Sequence, residues 1–373
     1  MTITGNVRLG KKTKQLVPSL LPGEIAVIDH EDIDRVSAEG LLDAGVKAVV
    51  NAAVSATGNY PNSAPEMLLD AKVPVIDSVG PDIFEKLEDG ETVKIDGADI
   101  YKGEEIVASG KLLTREYLEE RNEAARGKMG ENLEEFVVNT AEYLKRDKGR
   151  IVYNSNPPKI DTKISGKQVL VVVRGPDYKE DLITLRSYIS EVKPAIIAVD
   201  GAADALLDAG LSPDIIVGDM DSVTDNTLKC GAEIIAHAYE NGECPSGERL
   251  DSLGVEWKVW SVSATSEDLA MLLAWENDAD LIVAVGTHSN LIEYMEKNRK
   301  GMASTFLVRL LVGTKLVDAK GVSKLYRPSP PGKYVLLVIL CALIAILVAV
   351  FISEPLRNTL IVVWLTLRTT LGF

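Results

Sequence analysis

Cysteine is scarce in this sequence, and positive charge is in deficit. The three cysteines, Cys230, Cys244 and Cys341, do not stand at metal-ligand spacing, and the last lies in an apolar run. A reduced, cytosolic setting is therefore expected. The chain has 40 basic and 55 acidic residues, a formal net charge of −15. Because a phosphate backbone requires a basic face, this balance argues against broad nucleic-acid binding.

The basic N-terminal segment is not followed by the apolar stretch of a secretory signal, so no signal peptide is expected. The chain has 373 residues, which is long enough for two or three domains with ample cores. Hydrophobic residues make up 46% and charged residues 25% of the sequence. That composition is ordinary for a globular protein.

Residues 196–223 are the stretch around which the chain is organised. Ile196–Val199 and Asp214–Val217 have the composition of buried strands, and Ala203–Ala209 between them has helical spacing. This order predicts a βαβ unit with parallel strands. The turns that follow the two strands then lie at the carboxyl edge of one sheet, where open α/β sheets bind ligands.

Both of these turns are acidic and contain glycine. Asp200, Asp219 and Asp221 would repel one another at one edge unless a cation lay between them, and Mg²⁺ prefers such oxygen ligands. Gly201 and Gly218 would let a ligand approach the backbone closely. Taken singly, an aspartate in such a position is more often a capping residue of a turn or of a helix start than a metal ligand. The joint pattern favours a phosphate and metal site.

A further strand, Gln168–Val173, leads into Arg174-Gly175-Pro176-Asp177. A glycine turn before a helix, with a charged donor beside it, suits phosphate capture, although a plain strand-to-helix turn is the alternative. The residues predicted to bind a nucleotide or diphosphate are Arg174, Gly175, Asp200, Gly201, Gly218 and Ser222.

The D-G-A-A, P-D and G-D-M-D-S elements together resemble the catalytic fold of thiamine pyrophosphokinases, over roughly Val169–Val312. That family transfers diphosphate from ATP with Mg²⁺ held by such aspartates. Ser266-Glu267-Asp268-Leu269 resembles its third acidic element. The resemblance implies Mg²⁺ and ATP or another nucleotide as cofactors, with Asp200, Asp219, Asp221 and Asp268 as metal ligands.

The sequence departs from that family where the acceptor alcohol is handled. Gly286–Asn290 lacks the arginine and the aspartate of the family's acceptor element, and too little chain follows for the family's β-rich domain. Thiamine is therefore not the expected substrate, and catalysis is left open.

The whole layout resembles SteA-like cell-division proteins of Gram-positive bacteria. The residues that carry this resemblance are the Pro22–His30 run, the Gly301–Phe306 run and the apolar tail. It implies a role at the cytokinetic ring in septation, with a small membrane protein as partner.

The predicted fold class is α/β throughout, with a transmembrane helix at the C-terminal end. The charged helix 112–146 is either a connector or a dimerising seam, which makes a homodimer one option. Its predicted inward positions are Leu118, Ala125, Met129, Leu133, Phe136, Val137 and Leu144. The predicted divisions are a small α/β domain (1–111), a helical connector (112–150), a doubly wound pyrophosphokinase-like domain (151–327), a proline-rich linker (328–333), a transmembrane helix (334–352) and a short apolar tail (353–373).

The uncharged run Tyr334–Ile352 would form a helix about 28 Å long, close to the roughly 30 Å thickness of a bilayer core. Basic residues are concentrated before it, so residues 1–333 are expected in the cytoplasm, below a single-pass anchor in the cell membrane. Thr359–Leu367 is too short to span as a helix and is expected at the interface, with Trp364 as an anchor.

Two function classes follow. The first is a membrane-anchored scaffold for division that binds a nucleotide or diphosphate without turning it over. The second is a Mg²⁺-dependent diphosphotransferase acting on an unknown alcohol. The altered acceptor element and the tail favour the scaffold.

Overall fold

The computed structural model describes residues 2–147, 156–239, 241–287, 302–320 and 333–371. The chain divides into two compact units, residues 1–322 and 323–373. Several sequence predictions lie outside the described residues: the boundary near Arg150, the acceptor-element residues His288–Asn290, the helix Asn290–Lys297 and the linker 328–332.

The first sheet has eight strands in the described residues and is mixed in direction. Strands β1 to β4 are mutually parallel. The short strands β2 to β4, such as Ile25–Ile28, are buried at every position because layers cover both faces of the sheet. The strand order is β7-β6-β5-β1-β2-β3-β4-β8. The strands are β1 (Thr2–Leu9), β2 (Ile25–Ile28), β3 (Ala48–Asn51), β4 (Val75–Asp77), β5 (Thr92–Asp96), β6 (Asp99–Lys102), β7 (Glu105–Ser109) and β8 (Lys111–Leu112).

The antiparallel strands β5 to β7 extend this sheet. Asp96 and Asp99 face each other across the turn at Gly97, which has a φ of 65°. An Asp-Gly pair is typical of such a hairpin turn. The antiparallel strands are continuous with the parallel strands, because β5 pairs with β1.

Five α-helices among the described residues belong to the part of the chain that forms the first sheet. Helix α2 begins after Asp34, whose carboxylate accepts a hydrogen bond from the Ser37 amide at 2.7 Å, as a capping residue does. A 3₁₀ turn covers Val17–Ser19. The helices are α1 (Thr13–Leu16), α2 (Arg35–Asp43), α3 (Ala64–Asp70), α4 (Ile83–Lys86) and α5 (Arg115–Asp147).

The second sheet is parallel throughout its seven described strands, as the predicted βαβ repeats require. Its strand order is β13-β12-β11-β10-β9-β14-β15, so the chain changes direction across the sheet between β9 and β14. A switch point of this kind leaves a crevice at the carboxyl ends of those strands. The strands are β9 (Gln168–Val172), β10 (Ala195–Val199), β11 (Ile215–Gly218), β12 (Glu233–Ala238), β13 (Trp257–Ser261), β14 (Leu281–Val285) and β15 (Leu316–Asp318).

Helices cover both faces of this sheet, and each face has its own apolar core. Alternate strand residues point to opposite faces: Val169 and Val171 pack with Leu269–Ala274, while Leu170 and Val172 pack with the helices that follow β9 and β10. The doubly wound prediction matches this arrangement. The helices are α6 (Tyr178–Thr184), α7 (Arg186–Val192), α8 (Ala202–Asp208), α9 (Asp225–Leu228), α10 (Gly247–Leu253), α11 (Ser266–Glu276) and α12 (Met302–Val312).

The long connector helix α5 was predicted correctly as a helix, but its inward face was predicted only in part. Leu118 and Ala125 are fully buried, whereas Leu133, Val137 and Leu144 are 40%, 58% and 41% exposed. Within the described residues α5 packs mainly on α3 and α12, and this packing leaves Leu133, Val137 and Leu144 partly exposed. A homodimer formed along it stays a prediction.

The C-terminal unit contains helices α13 (Lys333–Ile352) and α14 (Glu354–Leu371). The predicted helix 334–352 therefore forms, and the expected short run Thr359–Leu367 is part of a longer helix. Among the residues described, neither helix alone has the length and apolarity to cross a bilayer. Leu336–Ile352 and Glu354–Thr370 meet that test only as a pair, with a bend of 103° between them.

Candidate functional site

The turn after β10 places Asp200 against the end of β11. Asp200 takes a left-handed φ of 47°, and its Oδ1 accepts a hydrogen bond from the Met220 amide at 3.2 Å. Gly218 has a φ of 147°, and a Cβ at this position would lie 1.8 Å from Asp200 Oδ1. Only glycine lets the two acidic turns approach this closely, which explains the Gly in Gly-Asp-x-Asp.

Arg174, Gly201 and Ser222 converge beside Asp200, and we call this group the Arg174–Ser222 cradle. The Gly201 amide donates to Ser222 Oγ at 3.0 Å. A Cβ at Gly201 would lie 2.9 Å from Arg174 Nη1 and 3.1 Å from Ser222 Oγ. The glycine thus keeps open a space lined by a guanidinium, a hydroxyl and backbone, which are groups that bind phosphate oxygens.

Gly175 lies at the switch point and touches the end of the neighbouring strand β14. A Cβ at Gly175 would lie 1.8 Å from the carbonyl oxygen of Gly286. The predicted phosphate turn is therefore locked to the β14 turn by backbone contact. The structure brings together Arg174, Gly175, Asp200, Gly201, Gly218 and Ser222, the residues predicted from the sequence.

The surroundings of the Asp200 carboxyl disfavour its ionised form. Burial, followed by the negative charge of Asp219, raises its pKa to about 7, and the charge of Lys14 and hydrogen bonds from Met220 and Ser266 offset only part of this. Desolvation and a like charge both disfavour the ionised form. A divalent cation between Asp200 and Asp219 would reverse this effect.

The N-terminal part of the chain supplies positive charge to this edge of the second sheet. Arg35 forms an ion pair with Asp177 in the turn after β9, and Lys320 reaches the other Asp177 oxygen at 3.1 Å. Lys14 is exposed, and its charge acts on Asp200. Sequence reasoning missed these contacts. The signal available in the sequence was the basic segment Arg8–Lys14.

Asp268 lies at the start of α11, fully buried, in a capping box with Thr265. Its Oδ2 accepts hydrogen bonds from Ser304 Oγ at 2.7 Å and Thr305 Oγ1 at 3.1 Å, while Oδ1 is buried without a hydrogen-bond partner. Burial and then the charge of Glu267 raise the pKa of Asp268 to about 6. Asp268 therefore anchors α11 to α12 and retains an unused oxygen.

The residues fit a magnesium ion only in part. Within the ranges that the structure describes, three or more His, Cys, Asp or Glu side chains are nowhere gathered as a metal-binding group. Asp219 and Asp221 are exposed, and the Asp221 amide donates to Asp219 Oδ1 at 3.1 Å. The predicted four-aspartate set is thus not assembled. Asp200 and Asp219 remain as a pair, and one or two carboxylates with substrate phosphates are what Mg²⁺ commonly uses.

The parallel sheet with paired acidic turns defines the class of the central part: a pyrophosphokinase-like α/β domain. Residues 320–370 match the family described as the SteA-like C-terminal domain. The chain is SteA-like in its C-terminal part and pyrophosphokinase-like in its centre, which confirms the resemblance that the motifs indicated.

Among characterised proteins, the chain is similar to 6-hydroxymethyl-7,8-dihydropterin pyrophosphokinase of Methanocaldococcus jannaschii, 33% identical over 97 residues, which is 24% of this chain and 40% of that protein. Among solved structures, it is similar to thiamine pyrophosphokinase from Bacillus subtilis (21% identity, 40% of this chain, 60% of that chain, TM-score 0.26). A D-isomer specific 2-hydroxyacid dehydrogenase from Lactobacillus delbrueckii ssp. bulgaricus is also similar (12% identity, 85% of this chain, 88% of that chain, TM-score 0.14). The chain spans less than two thirds of either pyrophosphokinase.

Proposed function

We propose that this protein is a membrane-anchored scaffold of bacterial cell division that binds a nucleotide or diphosphate on its cytoplasmic side. The observation that carries the proposal is the Arg174–Ser222 cradle beside the paired carboxylates of Asp200 and Asp219. Two clustered acids with an adjacent arginine suit a polyphosphate that carries a divalent cation. The SteA-like C-terminal match supports the role in septation at the cytokinetic ring.

In this proposal each group of the site has one task. Arg174 and the Ser222 hydroxyl donate to phosphate oxygens, and Gly201 leaves room for them. Asp200 and Asp219 would hold a Mg²⁺ ion, whose charge would offset the repulsion that raises the Asp200 pKa. ATP, another nucleotide or a free diphosphate would each present the required oxygens.

Anchoring is proposed through the bent pair α13 and α14. Apolar side chains of both helices, such as Leu337, Phe351 and Ile361, are largely exposed within their unit, so a lipid environment would bury them. The resulting protein would be held at the cell membrane with its larger unit in the cytoplasm. A small membrane division protein is the proposed partner, and a homodimer along α5 is a further option.

A second function, Mg²⁺-dependent diphosphotransfer, is supported by the same acidic pair beside the Arg174–Ser222 cradle. Asp200 and Asp219 would hold Mg²⁺, which would polarise the phosphorus under attack. The acceptor oxygen would bond to the β-phosphorus of ATP as the bond from that phosphorus to the α,β-bridging oxygen breaks. AMP would leave, and the alcohol proton would pass to water.

The binding proposal is tested by thermal unfolding of the full-length protein in detergent with Mg²⁺ and ATP or pyrophosphate. A ligand at about 100 times its Kd stabilises by about 2.7 kcal/mol. Arg174→Met should abolish that stabilisation. Arg186→Met is the matched control, since Arg186 lies exposed on α7 and donates to the Ala209 carbonyl. Stabilisation that survives in Arg174→Met would contradict the cradle.

Turnover separates the two functions. AMP release from ATP in the presence of candidate alcohols, lost in Asp219→Asn, would establish the transferase and remove the scaffold-only proposal. Binding without AMP release, together with a septation defect when residues 333–373 are deleted, would favour the scaffold. Membrane fractionation of the intact and truncated chains tests the anchor.

A further inference from the structure

Arg309 is a buried cation whose side chain has one hydrogen-bond partner, Thr287, among the residues that the structure describes. Its side chain lies on α12 and the residue is only 8% exposed. Its Nη2 donates to Thr287 Oγ1, while its Nε is buried without a hydrogen-bond partner. In the described part of the chain no carboxylate forms an ion pair with it. Burying a guanidinium in this way is costly unless an anion neutralises it.

The surroundings of Arg309 place it at the switch-point crevice. Thr287, its hydroxyl partner, is 3% exposed and follows Gly286 at the carboxyl end of β14. Gly286 in turn contacts Gly175 at the carboxyl end of β9. Arg309 therefore lies on the β14 side of the crevice, whereas the Arg174–Ser222 cradle lies towards β10.

A second buried polar atom without a hydrogen-bond partner, Asp268 Oδ1, lies on the neighbouring helix α11. Thr305 precedes Arg309 by one helical turn and bonds to Asp268 Oδ2, while Asp268 Oδ1 has no partner. Arg309 and Asp268 do not pair with each other, although both are buried on the α11–α12 side. Native interiors rarely leave such groups unsatisfied, and of the two only the Arg309 Nε donor is complementary to an anion.

We propose that Arg309 and Thr287 form a second anion subsite, which binds a phosphate or carboxylate at the far end of the ligand held by the Arg174–Ser222 cradle. The ends of β14 and β10 are two strand spacings apart, or about 10 Å, within reach of one extended phosphorylated molecule. The ligand class is thus an anionic molecule with charged groups at both ends, unlike a neutral alcohol. The connection to the cradle rests on the proposed function.

The test uses the full-length protein in detergent with EDTA, so that no divalent cation contributes. Thermal unfolding is followed with inorganic phosphate, with acetate, and with chloride at equal ionic strength as the reference. Phosphate or acetate should stabilise the wild type above chloride, and the more effective anion identifies the ligand's group. Arg309→Met should weaken the apparent affinity for it by about tenfold or more, since a charged hydrogen bond is lost. Arg186→Met, on the exposed surface of α7, should keep it.

Three results would overturn the subsite. The first is equal stabilisation of the wild type by all three salts. The second is an anion response in Arg309→Met that equals that of the wild type, or a response lost equally in the control variant Arg186→Met. The third is a large drop in the unfolding temperature of anion-free Arg309→Met, because removing an unpaired buried charge should be neutral or stabilising, whereas removing a structural partner should not. Arg309→Lys keeps the charge and should retain part of the response.

Failure of the proposed function has a different signature. In that case Mg²⁺-ATP and Mg²⁺-pyrophosphate leave the wild type unchanged, whatever metal-free phosphate does. A metal-free response that depends on Arg309, without a Mg²⁺-ATP response, would retain the subsite and remove the cradle.

Discussion

Replacing Asp200 by asparagine should stabilise the protein at neutral and alkaline pH. In the folded chain, burial and the neighbouring Asp219 carboxylate raise the pKa of Asp200 from 3.8 to about 7. Between these two values the folded state keeps a proton that the unfolded chain has lost. The free energy of unfolding therefore falls as pH rises from about 4 to about 7, and the penalty is complete above that range.

The difference between the two pKa values sets the size of this effect. At about 1.4 kcal/mol for each pKa unit, it amounts to an upper limit of about 4 kcal/mol. Asp200 is only half-buried, and solvent screening lowers the expected gain to about 1–3 kcal/mol. Asparagine carries no charge at any of these pH values, and its amide oxygen can still accept the Met220 hydrogen bond.

Urea unfolding of the full-length protein in detergent and EDTA, at pH 4.5 and pH 8, measures the effect. Asp200→Asn should match the wild type at pH 4.5 and exceed it at pH 8. Asp221→Asn is the control, because that side chain is exposed. With Mg²⁺ and pyrophosphate the advantage at pH 8 should shrink, because only the wild type retains both carboxylates for the cation. A stability difference independent of pH, or a less stable Asp200→Asn at pH 8, would refute the reasoning.

Two further predictions concern backbone contact and buried polar groups. Gly175→Ala should destabilise the protein by about 1–3 kcal/mol and weaken Mg²⁺-ATP binding, because its Cβ would collide with the Gly286 carbonyl. Gly130→Ala is the control: Gly130 lies in open space on α5, so this change should stabilise the protein by about 0.5–1 kcal/mol. Urea unfolding compares the two, and equal effects would contradict the switch-point contact. Asp77 accepts from the Ser55 amide at 2.8 Å and the Ser55 hydroxyl at 2.6 Å, and burial raises its pKa. Asp77→Ala should cost about 1–3 kcal/mol for each donor left unpaired, and Asp77→Asn much less, in the same assay; similar losses would show that packing dominates.

Local patterns predicted the individual elements well. Buried strands such as Ile196–Val199 are short apolar runs between turn residues, and this signal lies in neighbouring positions of the sequence. The acidic turns follow such strands, so a parallel sheet brings Asp200 and Gly218 to one edge. The sequence also predicted that Gly201 and Gly218 allow a close approach to the backbone, and both glycines lie where a Cβ would collide with a neighbouring residue.

Long-range packing lay beyond this kind of reasoning. The apolar stripe at Leu133 and Val137 has the spacing of a buried helix face, yet helical period states only that a face exists and not whether a layer covers it. The sequence placed all four aspartates in one metal site. In the structure, Asp268 forms a capping box with Thr265 and accepts a hydrogen bond from Ser304 on α12.

The sequence by itself determined the strand and helix order, the acidic turns and the apolar tail, because each depends on residues close together in the chain. The tertiary structure alone decided that Lys14 and Arg35 serve the second sheet, that Asp200 titrates near neutrality, and that Arg309 is buried with a polar group unpaired. Those properties depend on burial and on charges brought together from distant parts of the chain, which no local pattern encodes.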